Sequence, residues 1–132
     1  ERDTLSAPLD KIQIIKGWTE NGKINEVVYD VICSDDREIN NRNNKCKETK
    51  ASVNFENCSF DENYGSDRLE VIWTDTEYTP NQNTFYYARA IENPTCRWST
   101  YDSIRIDEKP AKNYPKITRE MAWSSPIWIK NK

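Results

Sequence analysis

Two runs rich in β-branched and aromatic residues open the chain, at 11–19 (KIQIIKGWT) and 24–33 (INEVVYDVIC). Asn21 and Gly22 lie between them, and an Asn-Gly pair in this position favours a tight hairpin because both residues tolerate positive φ. Alternate positions of the second run share one face of a strand: Val27, Tyr29, Val31 and Cys33. We therefore predict two antiparallel strands joined by a short turn.

Shorter apolar runs follow in the second half of the chain. Residues 69–74 (LEVIWT) and 84–92 (TFYYARAIE) alternate in the same way, and we predict that they form the central pair of strands. We also expect a strand at 103–106, one helical turn within 118–123 and a terminal strand at 127–129. This succession predicts an all-β fold, either an antiparallel β-sandwich or a partly open barrel of short strands with minimal helix.

Between these halves lies a polar stretch, residues 34–67, dominated by Asn, Asp, Glu and Lys. So long a connection without structure is unusual in a compact domain. We therefore expect a loop excursion that Cys46 and Cys58 tie down, with one short strand around 52–55. The whole chain, 1–132, is then a single β-rich domain with one polar excursion.

The four cysteines are separated by 12, 11 and 37 intervening residues, without a C-x-x-C pair or a histidine. This spacing favours disulfides over a four-cysteine zinc site or free buried thiols. Three pairings are possible. Cys33 and Cys96 both end strong strands while Cys46 and Cys58 flank the polar stretch, which favours Cys33 with Cys96 and Cys46 with Cys58. Disulfides form in oxidising compartments, so we expect a periplasmic or secreted protein.

Composition narrows the possible functions. The chain has no histidine, which excludes Ser-His-Asp and Cys-His catalysis and histidine-based metal sites. Its net charge of -3 provides no basic face for nucleic acid. No apolar run approaches the roughly 20 residues that span a bilayer, so we expect no transmembrane segment.

The densest polar and aromatic cluster follows Cys96: Arg97, Trp98, Tyr101 and Asp102. Arg97 could clamp an anionic group and Trp98 could stack on a ring, with Asp102 orienting either of them. The structural alternative places Trp98 in the core and pairs Arg97 with Asp102 or a carbonyl group.

Two tryptophans near the end of the chain form a second candidate. Trp123 and Trp128 flank Ser124-Ser125-Pro126. They could line a cleft, or they could plug the end of a sandwich.

Acidic residues offer less specific signals. Carboxylate pairs such as Glu70 with Asp75, or Glu92 with Asp102, suit glycosidase chemistry only at the right separation and with split pKa values. With 22 acidic residues in the chain, solvated surface positions explain any given pair better. A calcium site in the excursion would draw on acids that match no EF-hand pattern: Asp35, Asp36, Glu38, Asp61 and Glu62. We predict no catalytic residue, no metal site and no cofactor in this chain.

Five stretches carry a family resemblance: 8–18 (PLDKIQIIKGW), 28–31 (VYDV), 85–89 (FYYAR), 93–102 (NPTCRWSTYD) and 122–128 (AWSSPIW). In this order they resemble the C-terminal region of the bacterial domain-of-unknown-function family 3604, whose members look like relatives of the PHP metallohydrolases. The histidine-based metal motifs of that family lie in the N-terminal part of full-length members. The resemblance implies a C-terminal region without the metal-binding half, and Glu1 at the start also suggests a fragment.

The leading hypothesis is therefore a non-catalytic region of an exported, PHP-like, metal-dependent hydrolase. Its expected partner is the N-terminal catalytic portion of that protein. A secreted carbohydrate- or protein-binding module is the alternative. A structural or interaction role predicts an apolar patch on one face of the domain.

Overall fold

The computed structural model describes residues 1–80, 82–109 and 112–130. Nine strands and one helix lie within these ranges. In chain order they are β1 (Leu9–Glu20), β2 (Lys23–Cys33), β3 (Ile39–Asn40), β4 (Lys45–Cys46), β5 (Thr84–Glu92), β6 (Thr95–Cys96), α1 (Trp98–Arg105), β7 (Ile117–Thr118), β8 (Met121–Trp123) and β9 (Ile127–Ile129).

The main sheet is antiparallel, with β1 between β2 and β5. β8 and β9 both pair with the remaining side of β5, opposite Arg89–Ile91 and Thr84–Tyr86 respectively. Residues 121–129 therefore form one edge strand interrupted at Ser124–Pro126. The pairs β3–β4 and β6–β7 make two small additional ladders. The predicted antiparallel all-β class is confirmed, and the sheets do not close into a barrel.

The strands predicted at 11–19, 24–33, 84–92 and 127–129 are confirmed, the first two with slightly wider bounds. Asn21 and Gly22 make the predicted turn with φ of 50° and 74°. These elements were predictable because alternation and turn chemistry are both local. No helix in the described part of the chain is both long and apolar enough to cross a membrane.

The prediction of a strand at 69–74 that pairs with 84–92 is wrong. In the structure β1 lies beside β5 instead. Residues 68–80 instead form an irregular strap across one face of the sheet. Trp73 of the strap lies between Tyr29 and Tyr86, with ring centroids 5.2 Å and 6.4 Å away. Val71 is 41% exposed and Ile72 98% exposed, so neither face of this run is buried as a strand of the sheet would be.

Polar contacts fasten the strap to the sheet. The buried Lys16 ammonium lies 2.6 Å from an Asp75 carboxylate oxygen and donates to the carbonyl of Glu77 at 3.0 Å. Tyr86 donates to the same Asp75 oxygen, and Tyr29 donates to the Glu77 carboxylate. Burial raises the pKa of Asp75, but hydrogen bonds from Lys16, Tyr86 and the Glu77 N–H outweigh it and hold that pKa below its usual value.

Three other local predictions are corrected. Residues 103–106 were expected to be a strand, but 103–105 end α1, where Ser103 donates to the Thr100 carbonyl. The helical turn expected within 118–123 is replaced by parts of β7 and β8, because Thr118 pairs with β6 and residues 121–123 pair with the free side of β5. The short strand expected at 52–55 is reduced to one bridge between Val53 and Phe60.

The predicted disulfides are present, but the favoured pairing is wrong. The bonds join Cys33 to Cys46 and Cys58 to Cys96. The excursion turns back directly after β2, and the N–H of Cys46 donates to Asp30 of β2 at 2.8 Å, which brings Cys46 to Cys33. The excursion is thus tied down at two points, and the two bonds indicate an oxidising compartment.

We predict that replacing Cys58 and Cys96 together by Ser lowers the melting temperature more than replacing Cys33 and Cys46. The two bonds close separations of 38 and 13 residues. A loop-entropy model gives roughly 4 kcal/mol and roughly 3 kcal/mol for such loops. Calorimetry of both double variants checks the order. A Cys33–Cys96 peptide in a non-reducing digest would contradict the pairing itself.

We predict that Asp75→Asn destabilises the protein by about 3 kcal/mol, because it leaves the buried Lys16 ammonium without its counter-charge. Urea unfolding measures the change. Glu70→Gln is the matched control, since it breaks a strap ion pair with Arg68 that is exposed on both sides and should cost at most about 0.5 kcal/mol. Equal losses in the two variants would contradict the role assigned to Asp75.

Candidate functional site

A cleft of about 600 Å³ opens where the end of β5 meets the start of α1. This volume lies within the range of small-molecule sites. The N-terminal segment and the β7–β8 connection form its other walls. The side chains that matter for its chemistry are Phe60, Glu92, Arg97, Trp98, Tyr101 and Glu120.

The aromatic wall of the cleft is held by the backbone around it. β6 pairs with β7, and the N–H of Arg97 donates to the Lys116 carbonyl at 2.9 Å. Trp98 and Tyr101 are three residues apart on α1 and therefore lie on one side of the helix. Trp98 is 70% exposed, so the alternative that places it in the core does not hold.

The Tyr101 hydroxyl donates to the carbonyl of Cys58 at 3.2 Å, next to the Cys58–Cys96 bond. This contact and the disulfide both join the second half of the excursion to the start of α1. The start of α1, which carries Trp98, is therefore joined to the excursion by a covalent bond and a hydrogen bond.

Glu92 ends β5 and contributes a carboxylate to the cleft. Its Oε2 atom is buried and accepts no hydrogen bond from the described residues. Burial raises the pKa of Glu92, the negative charges of Glu120 and Asp3 raise it further, and contacts with Ser6 and Arg2 only partly offset them. The Glu92 carboxylate thus forms part of the cleft wall, while its Oε2 atom is closed off from solvent.

Arg97 pairs with neither Asp102 nor a carbonyl group among the described residues, contrary to the structural alternative. Its guanidinium instead lies over the ring of Tyr114, 5.9 Å from the centroid. Asp102 is exposed on α1 and does not line the cleft. Of the predicted cluster, the fold brings together Arg97, Trp98 and Tyr101.

Trp123 and Trp128 lie on β8 and β9, away from the cleft lining, and are 60% and 63% exposed. Because they pair with Arg89 and Phe85, they occupy the same face of the edge strand. The ring of Phe85 lies 5.0 Å from Trp128 and stacks on Tyr87 at 6.4 Å. We call β8 and β9, together with the side chains of Trp123 and Trp128, the aromatic edge.

The acidic candidates are dispersed. Glu70 pairs with Arg68 and Asp75 with Lys16, and the Asp35 carboxylate accepts the N–H of Gly65. Within the described ranges, no group of three or more His, Cys, Asp or Glu side chains is arranged to hold a metal ion.

Sequence reasoning did not single out Phe60 or Glu120, and it considered Glu92 only in a pair with Asp102. These residues reach the cleft through long-range contacts, such as the hydrogen bond from the Glu92 N–H to the Glu120 carbonyl at 3.0 Å. The sequence indicates a special position only for Glu92, which ends a predicted strand immediately before Asn93-Pro94.

A comparison with protein-family models finds a match over residues 1–131 to the model described as "Protein of unknown function (DUF3604)". Searches of curated proteins and of solved structures found no significant match.

We predict that Glu92→Gln stabilises the protein at pH 8 by about 1–2 kcal/mol, because the buried carboxylate no longer has to ionise without a donor. The pKa of Glu92 is raised by folding, so its ionisation favours the unfolded state. The advantage of the variant is therefore absent below the unfolded-state pKa, grows as pH rises from there to the folded-state pKa, and is complete above it.

Urea unfolding at pH 4 and pH 8 measures this difference. Glu26→Gln, at an exposed position of β2, serves as the control and should change stability equally little at both pH values. A Glu92→Gln variant that is less stable than wild type at pH 8 would contradict the role assigned to burial.

Proposed function

The chain belongs to the DUF3604 family of proteins of unknown function, and from that premise we propose that it is a non-catalytic interaction region of a larger, exported hydrolase. Its partner is the N-terminal, PHP-like catalytic portion implied by the sequence resemblance. In this proposal the chain itself binds no catalytic metal or cofactor, and it packs against the portion that does. The aromatic edge is the surface that makes the contact.

The observation that carries the proposal is the exposure of the aromatic edge. All residues from 121 to 130 are exposed, although they include large apolar side chains: Met121, Trp123, Ile127, Trp128 and Ile129. β8 and β9 pair with β5 on one side, and no described strand pairs with their other side. A sheet edge with free backbone groups and apolar side chains is a template for an added strand.

Both faces of this edge offer contacts to a partner. On one face Trp128 stands beside Phe85 and Trp123 lies opposite Arg89. Tryptophan is enriched among the residues that dominate binding energy at interfaces. On the other face an apolar groove of about 480 Å³ lies between β9 and the strap, lined by Trp73, Tyr86 and Ile127. The alternating side chains of an added strand would lie beside both sets.

The aromatic edge is interrupted at residues 124–126. This break favours a partner strand of matching shape over pairing with any exposed strand. Pro126 lacks an N–H group, and Ser124 turns its hydroxyl to accept the N–H of Ala88. The edge therefore offers two short segments, 121–123 and 127–129, with a fixed break between them. A partner strand has to match that spacing.

Chemistry elsewhere in the chain agrees with an exported, non-catalytic role. The two disulfides suit the periplasm or the outside of the cell. The sequence contains no histidine for general base catalysis near neutral pH.

We predict that the chain forms a one-to-one complex with the separately expressed, histidine-containing PHP-like portion in sedimentation velocity. Replacing Trp123 and Trp128 together by Ser should weaken this complex at least about ten-fold, or about 1.4 kcal/mol. Trp98→Ala is the matched control, because Trp98 is equally exposed but lies in the cleft, and it should leave the affinity unchanged.

Absence of a complex would contradict the proposal, as would an equal loss in the control. Self-association of the wild-type chain that disappears in the double variant would assign the edge to a second copy and would also overturn the proposed partner.

A further inference from the structure

A row of paired residues crosses the main sheet and ends at the aromatic edge. Gly17 of β1 lies opposite Phe85 of β5, and Phe85 in turn lies opposite Trp128 of β9. Directly paired residues place their side chains on the same face of a sheet. Gly17 has no side chain to place there, so the row has a gap two strands away from Trp128.

The Phe85 ring occupies that gap. A Cβ atom at Gly17 would overlap Cζ and Cε1 of the ring and would lie 3.0 Å from Cε2, whereas carbon atoms in contact stay about 3.5–4.0 Å apart. Glycine weakens the interior of a strand and often marks a site that another group approaches closely. Here that group is the Phe85 ring, and the buried Gly17 leaves room for it.

Two other rings border Phe85. Tyr87 of the same strand stacks on it, with an interplanar angle of 8° and a centroid distance of 6.4 Å. Trp128 lies on the side of β9, with its ring centroid 5.0 Å away and its plane tilted by 43°. Trp128 is 63% exposed, so the core holds little of its indole. A Phe85 ring displaced from β1 therefore moves toward Trp128 or out into solvent.

We propose that Gly17 is a positioning residue of the aromatic edge: the space above it holds the Phe85 ring, and the ring holds the Trp128 indole in the orientation that the partner meets. This inference rests on the proposed function, and it assigns part of the fit to a residue on another strand. Gly17 lies between β2 and β5 and acts only through the two rings.

A purely structural role for the same contact is the alternative. An aromatic ring that covers a glycine of a neighbouring strand also supports the sheet, and this effect has no bearing on docking. The two roles differ in their dependence on Trp128. A positioning role acts through that indole and is lost with it, whereas a structural role persists when the indole is absent.

Gly17→Ala tests the inference in the complex with the PHP-like portion, measured by sedimentation velocity. The variant should weaken the complex about five-fold in the otherwise wild-type chain and should cause no further loss in a Trp128→Ala background, because residues that act through one another are not additive. A loss of the same size in both backgrounds would overturn the inference.

Gly22→Ala is the matched control. Gly22 has a φ of 74°, so a side chain strains the β1–β2 turn, but a Cβ atom there would meet nothing within 4 Å. Both glycine variants should lower the melting temperature, and only Gly17→Ala should lower the affinity. Equal losses of affinity would attribute the effect to destabilisation alone and would also contradict the positioning role.

Phe85→Leu provides a second variant if Gly17→Ala does not fold. It removes the ring that joins Gly17 to Trp128 and creates no overlap with β1. Its loss of affinity should likewise disappear in the Trp128→Ala background, and a loss that persists there would count against the inference.

Indole N–H resonances in a heteronuclear NMR spectrum of the free chain provide a readout that needs no partner. The Trp128 resonance, assigned from its disappearance in Trp128→Phe, should shift in Gly17→Ala, while that of Trp98 in the cleft should not. An unmoved Trp128 resonance beside an intact complex would overturn this inference alone. Failure of the wild-type chain to form the complex would instead overturn the proposed function.

Discussion

Two buried carboxylates, Asp10 of β1 and Asp30 of β2, hold the polar excursion and the C-terminal region against the sheet. Asp10 binds Arg37 of the polar excursion and Arg119 of the C-terminal region, each at 2.5 Å. A buried charge is costly unless it is paired and hydrogen-bonded. With both arginines in place, one carboxylate fixes two segments that are distant in sequence.

Asp30 does the same for the start of the excursion. Burial alone would raise the pKa of Asp30, but hydrogen bonds from the Cys46 N–H, Gln13 and Lys11 outweigh it and keep the carboxylate ionised. Gln13 in turn accepts from Arg89, which extends the network across β2, β1 and β5. The apolar core is small, so these polar anchors determine where the excursion lies.

The long strands were predictable from sequence because their signals are local, as in the Asn21-Gly22 turn and the alternation of 84–92. The strap was not, since LEVIWT carries the alternation of a strand while its position depends on Lys16, which lies far away in sequence. Disulfide pairing failed for the same reason: Cys46 reaches Cys33 through Asp30, a contact that spacing does not reveal. At the candidate site, sequence located Arg97, Trp98 and Tyr101, whereas Glu92 and Glu120 joined them only through long-range pairing.

The disulfides join the first cysteine to the second and the third to the fourth. A chain translocated N-terminus first into an oxidising compartment presents Cys33 and Cys46 together before Cys58 and Cys96 have emerged. The native bonds can then form in the order in which the thiols appear, without a thiol–disulfide isomerase to reshuffle a premature bond. Connectivity in chain order thus lets each bond form between successive thiols, whereas the nested pairing of Cys33 with Cys96 would leave the first thiol unpaired until the fourth had emerged.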